Sequence, residues 1–196
     1  MSDALDQFIG TSVGYFGVYM DAIWGFREVN DKAKEGIAAT KPGKRYFMSF
    51  SPEKAPPKGK KFSNEEMNAS SLNMVTADVL YERTKTHGIN SQIMAQMTLI
   101  SIYHVWEELY REQIAKMLNM DCKNELRVDI MGDIRALRNA IVHNVGIATE
   151  DVSRMRHLDA YDKGVAIQLT YKDMLHIKNF LQTKFRGECL KQVKMK

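Results

Sequence analysis

The chain has few of the residues that build disulfide frameworks or metal sites. Its 196 residues include two cysteines, Cys122 and Cys189, which are far apart in the sequence. Two isolated thiols exclude a disulfide scaffold and a cysteine cluster for a metal, so we expect free thiols in a reducing compartment. The five histidines are scattered without a ligand spacing such as HExxH. We therefore expect neither a metal nor another cofactor.

Long apolar runs and several enzyme signatures are also missing. No apolar run approaches the roughly 18 residues that a membrane-spanning helix needs. The first residues, MSDALDQ, are acidic rather than basic, so we expect no signal peptide, no contact with a membrane and a cytoplasmic location. The GxSxG, phosphate-loop, Rossmann and kinase signatures do not occur. These absences exclude the enzyme classes that depend on them.

Proline is confined to one segment, which is also the most basic one. All four prolines, at positions 42, 52, 56 and 57, fall within residues 41–63, so we predict a long loop there rather than a helix. Lys41 to Lys61 contains seven Lys or Arg residues and one Glu, against a net charge of +4 for the whole chain. Such a patch attracts a phosphate backbone, which makes Lys58, Lys60 and Lys61 candidate RNA contacts. The alternative is a solvated loop that its lysines keep soluble.

The remaining sequence is typical of a soluble helical protein. With 44% hydrophobic and 27% charged residues, the chain fits one domain over residues 1–196. Apolar residues at spacings of three and four predict an all-α bundle of about four to five helices. The predicted helices cover Asp3–Ala39, Asn64–Lys85, Gln92–Leu118, a segment ending near Asn144–Gly146, and one opened by Thr170 with Asp173 that runs to about Phe185.

Three local patterns refine this expectation. Gly10, Gly14 and Gly17 in the first helix predict a break or a close helix crossing. The alternating apolar residues from Val165 to Tyr171 predict a short extended segment before the last helix. Residues 187–196 are rich in lysine and are predicted to form a frayed tail.

The strongest concentration of polar groups on a predicted helix lies in Asp133 to Gly146, DIRALRNAIVHNVG. At about 100° per residue, Asn139 and His143 share one face, and Arg138 lies one step round from Asn139. The same stretch supplies apolar surface from Leu137, Ala140, Ile141 and Val142. A helix that buries those residues holds the polar ones at the edge of a packed surface, where they have to be paired or half solvated.

Arg138, Asn139 and His143 form the pattern Arg-Asn-x-x-x-His, which is followed by Asn-x-Gly. This pattern resembles the signature of the HEPN superfamily of small helical proteins, an Arg and a His four to six residues apart with a polar residue after the Arg. The resemblance covers roughly residues 89–181 and is sharp over Leu137–Gly146. It implies a HEPN-like helical bundle. As in many members, it also implies a metal-independent ribonuclease whose active site forms between two subunits.

Two acidic residues are candidate supports for this motif. Some HEPN proteins place a Trp-Glu pair on the helix facing the motif helix, and Trp106 with Glu107 is similar, which implies that Glu107 pairs with Arg138 and orients it. Asp133 is a second candidate partner on the motif helix itself. The alternative for Glu107 is a surface pair with Arg111, which stands at i,i+4.

The three motif residues suit the cleavage of RNA by its own 2′-hydroxyl. That reaction needs groups to take and to return a proton, and positive charge against the phosphate. His143 is the candidate acid or base, Arg138 the candidate phosphate clamp, and Asn139 a candidate orienting group. One copy of this set is sparse. The resemblance implies that two copies meet across a two-fold axis in a homodimer.

Two classes of function follow from this reading. The first, which the motif favours, is a ribonuclease of the toxin or anti-phage defence kind, held in check by an antitoxin such as a nucleotidyltransferase-like protein. The second is a non-catalytic HEPN-like module that binds RNA, a nucleotide or a protein through the same surface. A third interpretation has no function at this site: Arg138 is a surface arginine in an ion pair, and His143 caps a helix C-terminus.

Overall fold

The computed structural model describes residues 3–39, 46–50 and 71–192, and this part of the chain is predominantly helical, in agreement with the predicted all-α class. Lys58, Lys60 and Lys61 lie outside the described residues, as does most of the predicted loop 41–63. None of the described helices combines the length and the apolar content needed to cross a membrane.

The described residues form twelve regular elements, four of which are strands or non-α turns. In chain order they are α1 (Ala4–Ala39), β1 (Tyr46–Phe50), β2 (Ser71–Thr76), α2 (Ala77–Thr84), α3 (Ile89–Val105), a π-helical turn (Trp106–Tyr110), α4 (Arg111–Met117), a 3₁₀ turn (Lys123–Glu125), α5 (Asp129–His143), α6 (Glu150–Ser153), α7 (Tyr171–Thr183) and α8 (Phe185–Lys191). The helices outnumber the predicted four to five because several are short and follow a longer one directly.

Contacts divide the chain into two compact units. One contains Met1–Ala22 and Gln92–Lys196, and the other contains Ile23–Ser91. Helices α1 and α3 each run from one unit into the other. The single domain predicted from the sequence stays a prediction.

The smaller unit contains the antiparallel pair of β1 and β2. The register places Tyr46 opposite Thr76, with a β-bulge near Phe50. The helix predicted over 64–85 is therefore wrong for residues 71–76, which form a strand, and right for α2. Thr76 caps α2 by accepting a hydrogen bond from the Val79 N–H, as Ser and Thr commonly do at this position.

Buried polar groups fix α2 against the second half of α1. The Asn30 amide donates to the Tyr81 carbonyl at 2.8 Å and to the Thr84 hydroxyl at 3.1 Å. At the end of α2, His87 has a φ of 62°. A Cβ on Gly88 would stand 2.6 Å from the Arg83 carbonyl oxygen, so only glycine fits there. The end of this helix, which was predicted near Lys85, is confirmed, because α2 ends at Thr84.

The larger unit has an aromatic core built from three distant parts of the sequence. The ring of Phe8 lies 5.2 Å from that of Trp106 and 4.9 Å from that of Phe185, all three being almost fully buried. Helix α1 contributes to this unit through a buried stripe at spacings of three and four: Leu5, Phe8, Ser12, Phe16 and Tyr19.

The tail predicted at 187–196 is wrong for the residues up to 192. Phe185 and Cys189, one turn apart on α8, are fully buried, and burial raises the pKa of the Cys189 thiol to about 12. The Arg186 guanidinium holds the other side of α8 to the Asp3 carboxylate at 3.0 Å. The apolar pair outweighs the basic composition on which the prediction rested.

The glycines of α1 cause neither the break nor the close crossing predicted from them. The helix is continuous through Gly10, Gly14 and Gly17. All three are exposed, and a Cβ on any of them would meet nothing within 4 Å among the residues that the structure describes. Stabilisation from the buried stripe exceeds the helix cost of glycine, about 1 kcal/mol each.

The last helix begins as predicted, and the segment before it does not. Thr170 and Asp173 form a reciprocal capping box at the start of α7. The extended segment predicted for Val165 to Tyr171 amounts to a single bridge between Ile147 and Ala166. The apolar residues of this segment alternate in the sequence because Ile167 and Leu169 are buried in the core, although the backbone there is irregular.

Candidate functional site

Helix α5 carries the motif, and its first turns are fixed by Asp133. This carboxylate is buried and accepts hydrogen bonds from the backbone N–H groups of Arg156, His157 and Leu158, the shortest being 2.7 Å to His157. Three backbone donors are thereby satisfied at one carboxylate. Asp133 holds a loop against α5 and does not pair with Arg138, so its predicted role as a partner of that arginine is wrong.

The other end of α5 stops where the sequence predicts, at Asn144 to Gly146. The N–H groups of Asn144 and Gly146 both donate to the Ala140 carbonyl at 3.0 Å, and the Asn144 amide donates to the Ile147 carbonyl at 2.8 Å. Val145 and Gly146 have φ angles of 52° and 75°. This region suits glycine, whereas a β-branched residue such as Val145 is strained in it.

Arg138, Asn139 and His143 form one cluster just before this stop. Arg138 Nη1 lies 3.0 Å from Asn139 Oδ1 and 3.0 Å from His143 Nε2. A guanidinium only donates hydrogen bonds, so in this arrangement Nε2 is the acceptor and the neutral imidazole carries its proton on Nδ1. The structure therefore brings together the three residues that the sequence singled out.

The cluster faces solvent at the edge of the packed face, as the periodicity predicts. Leu137 and Ala140 are buried, while Arg138 and Asn139 are half-buried and His143 is exposed. The apolar surface is narrower than predicted. Val142 is 45% exposed, and Val145, directly after the motif helix, is 92% exposed.

Glu107 does not support the motif arginine. Its carboxylate lies 2.9 Å from Arg111 Nη1 and 3.0 Å from Lys123 Nζ. Burial raises the pKa of Glu107, but the hydrogen bonds from Lys123 and Arg111 outweigh it and hold the pKa below its usual value. The expected pair of Glu107 with Arg138 is wrong, because two nearer cations occupy the carboxylate. The alternative i,i+4 pair with Arg111 is confirmed.

Tyr103, which was not predicted from the sequence as a site residue, is influenced by the charges of both groups. Burial and the Glu107 charge raise the pKa of Tyr103, while Arg135, Arg111 and Arg138 oppose the rise. The phenol is therefore close enough to feel the charges of both the Glu107 cluster and the motif. Tyr103 lies on α3, one helical turn before Glu107, and this spacing is the feature of the sequence that could have identified it.

A cleft of about 510 Å³ opens beside Tyr103 and the first half of α5. Its lining includes five arginines, namely Arg111, Arg127, Arg135, Arg154 and Arg156. Of these, only Arg111 was named from the sequence, as the i,i+4 partner of Glu107. The other arginines could have been predicted from the high density of arginine between residues 111 and 156. This density is not apparent when each helix is considered separately.

No metal centre is found in the part of the chain that the structure describes: no three His, Cys, Asp or Glu residues lie together there in a way that could hold an ion. Comparisons with protein-family models, with curated proteins and with solved structures found no match to this chain.

Proposed function

We propose that this protein is a metal-independent endoribonuclease that uses Arg138, Asn139 and His143 at the C-terminal end of α5. The observation that carries the proposal is the contact of Arg138 Nη1 with His143 Nε2 at 3.0 Å on a solvent-facing surface. A cation and a neutral imidazole that contact each other in solvent are both accessible to a substrate phosphate.

In the proposed reaction the 2′-oxygen of a ribose attacks the adjacent phosphorus. The new bond joins the 2′-oxygen to phosphorus, and the bond from phosphorus to the 5′-oxygen breaks, which leaves a 2′,3′-cyclic phosphate and a 5′-hydroxyl. His143 Nε2 takes the proton of the 2′-hydroxyl once Arg138 has turned from the imidazole to the phosphate. Arg138 then stabilises the charge on the phosphate oxygens, and Asn139 keeps its guanidinium oriented through Oδ1.

The 5′-oxygen leaving group needs a proton from a second group, and one motif offers a single imidazole. We propose a homodimer in which two motif helices approach each other, so that His143 of the second copy supplies that proton. The exposed Val142 and Val145 beside the motif supply apolar surface for such a contact. A strictly monomeric mass at micromolar concentration would count against the dimer.

The resemblance to HEPN proteins extends the proposal to biology. We propose that the enzyme acts as a toxin or an anti-phage defence component and that an antitoxin, such as a nucleotidyltransferase-like protein, restrains it. Co-purification of the tagged protein with the product of a neighbouring gene tests this extension separately from the chemistry.

End-group analysis of RNA products tests the chemistry. Wild type, His143→Ala and Arg138→Ala are incubated with single-stranded RNA in the presence of EDTA. We expect cyclic phosphate ends from wild type and no cleavage by His143→Ala, which should still bind RNA. Arg138→Ala should lose both RNA cleavage and RNA binding, because a charge-assisted contact acts in the ground state as well as in the transition state. Cleavage that EDTA stops, or that persists without His143, would leave the binding module as the better interpretation.

A further inference from the structure

The arginine-lined cleft beside the first half of α5 has cationic groups that the fold does not use. Arg111 is fully engaged, since it contacts Glu107 and donates to the Leu126 carbonyl from Nε and Nη2 at 3.3 and 3.1 Å. Arg154 pairs with Glu150 at 2.8 Å. These two guanidinium groups have structural partners.

The other three arginines of the cleft are available to a ligand. The guanidinium groups of Arg127 and Arg135 have no hydrogen-bond or ion-pair partner among residues 3–39, 46–50 and 71–192. Arg156 reaches the Asp129 carboxylate only at 3.9 Å, beyond hydrogen-bond distance, with a side chain that is 78% exposed. The backbone of Arg127 is nevertheless held on both sides by the Gln192 amide. The cleft thus presents three guanidinium groups that no hydrogen bond from the described residues holds.

The two carboxylates that line the cleft, Asp129 and Asp133, offset only part of this charge. Asp133 is covered by the three backbone N–H groups described above, and Asp129 lies between Arg156 and the His157 ring, 3.8 Å from Nε2. Trp106 and Met131 also line the cleft but are almost fully buried, so Tyr103 is the more accessible aromatic side chain of the lining. Guanidinium groups beside an accessible aromatic ring suit a ligand with flat rings and phosphates.

Gly132 keeps the cleft open. It lies on the cleft side of α5, is exposed, and a Cβ placed there would meet nothing within 4 Å. Glycine inside a helix is less favourable than alanine, and no packing contact in the described residues requires it here. A longer side chain at this position would project into the space of the cleft.

The positively charged surface continues from the cleft to the motif. Arg135 lines the cleft and stands three residues before Arg138, so the two arginines are neighbours on the surface of α5. Tyr103 feels the charge of both. A ligand that ends at the cleft would use Arg127, Arg135 and Arg156 alone, whereas a strand can continue along α5 to the motif.

We infer that this cleft binds nucleotides of a single-stranded RNA next to the one held at Arg138 and His143, with phosphates on Arg127, Arg135 and Arg156 and a base against Tyr103. This inference rests on the proposed function for the identity of the strand, and on the cleft itself for the site. It assigns to these residues a role in substrate affinity and none in proton transfer.

Fluorescence anisotropy with labelled single-stranded RNA tests the inference, with the full-length His143→Ala protein as the background so that the RNA stays intact. Arg127→Ala with Arg135→Ala should weaken binding roughly tenfold and lower the slope of log affinity against log salt by about 1.4, at roughly 0.7 per lost phosphate contact. The matched control, Lys172→Ala with Lys178→Ala, removes the same charge from α7 away from the cleft and should leave the slope nearly unchanged.

A second variant separates the cleft from general attraction by positive charge. Gly132→Leu leaves the net charge unchanged and introduces a good helix former, so the protein should stay folded while the cleft is filled. We expect weaker RNA binding with circular dichroism like that of the background. Unchanged affinity in Gly132→Leu, or equal losses in the arginine pair and the lysine pair, would overturn the inference, as would the absence of any RNA binding.

The length of the ligand distinguishes a strand from a single nucleotide. Competition by a dinucleotide, a tetranucleotide and a hexanucleotide should strengthen with length, while AMP and inorganic phosphate should compete weakly. Competition by AMP equal to that of the hexanucleotide would make the cleft a mononucleotide pocket and contradict the inference. If wild type cleaves RNA but the cleft variants bind RNA as well as the background does, the proposed role of the cleft is refuted and the ribonuclease proposal is not. Cleft-dependent binding by a wild type that does not cleave would refute the ribonuclease alone.

Discussion

The two ends of α5 use polar side chains in opposite ways. Near its start, Asp133 is buried and its carboxylate accepts hydrogen bonds from three backbone N–H groups. At its end, Arg138 and His143 contact each other at an open surface. Polar groups that the backbone satisfies contribute to stability, whereas polar groups that only satisfy each other in solvent remain available to a ligand. The sequence alone does not distinguish these two situations.

The largest effect that we expect on stability comes from Asp133. Asp133→Ala should lower the free energy of unfolding by about 3 kcal/mol, because it leaves three partly buried N–H groups without their acceptor. His143→Ala should change it by less than about 0.5 kcal/mol, as is usual for an exposed side chain. Urea unfolding followed by circular dichroism measures both.

Asp159→Ala is the matched control, since Asp159 is an exposed aspartate. The contrast between the two ends of α5 fails if Asp133→Ala is no more damaging than this control. It fails equally if His143→Ala unfolds the protein.

A smaller effect should come from the strained residue that follows the motif. Val145→Gly should raise the free energy of unfolding by about 1 kcal/mol, because glycine adopts a φ of 52° without the steric cost that valine carries. Val142→Gly, inside α5, should lower it by a similar amount and serves as the control. If Val145 also contacts a second copy, Val145→Gly should weaken dimerisation while stabilising the monomer. An unchanged urea midpoint would show that the backbone is not strained there.

The smallest effect concerns Glu107, which belongs with the structural groups. Because its pKa is lowered in the folded protein, its contribution to stability is present above the ordinary value of 4.5 and is lost as the pH falls through the lowered pKa. Glu107→Gln should cost less than about 1 kcal/mol at pH 7, since the pair is partly exposed.

The variant should also show a smaller loss of stability than wild type when the pH is lowered from 5 to 3. RNA cleavage should be nearly unaffected. A cleavage defect as large as that of Arg138→Ala would return Glu107 to the site.

Local patterns predicted the parts of this molecule that depend on local chemistry. The capping pair of Thr170 and Asp173 and the stop at Asn144–Gly146 were identified correctly because caps and turns act over a few residues. The motif cluster was predicted because Arg138 and His143 are close along one helix. Side chains that meet across long distances in sequence gave no such signal.

Two failures show what the sequence conceals. Glu107 was expected to pair with Arg138, but it contacts Lys123 instead. The position of Lys123 depends on the direction of the preceding turn, which periodicity does not predict. Helix α8 was mistaken for a tail because the partners of Phe185 are Phe8 and Trp106, far away in the sequence. In both cases tertiary packing decided the outcome over local composition.

The central claim is that the free polar groups at the end of α5 carry out RNA cleavage by the 2′-hydroxyl. The most direct measurement compares an RNA oligonucleotide that the enzyme cleaves at one position with the same strand carrying a 2′-deoxyribose on the 5′ side of that position. We expect wild type to cleave the first strand and to bind the second without cutting it, while His143→Ala binds both and cuts neither. Cleavage of the 2′-deoxy strand at the same bond, or cleavage of the RNA strand by His143→Ala, would contradict the claim.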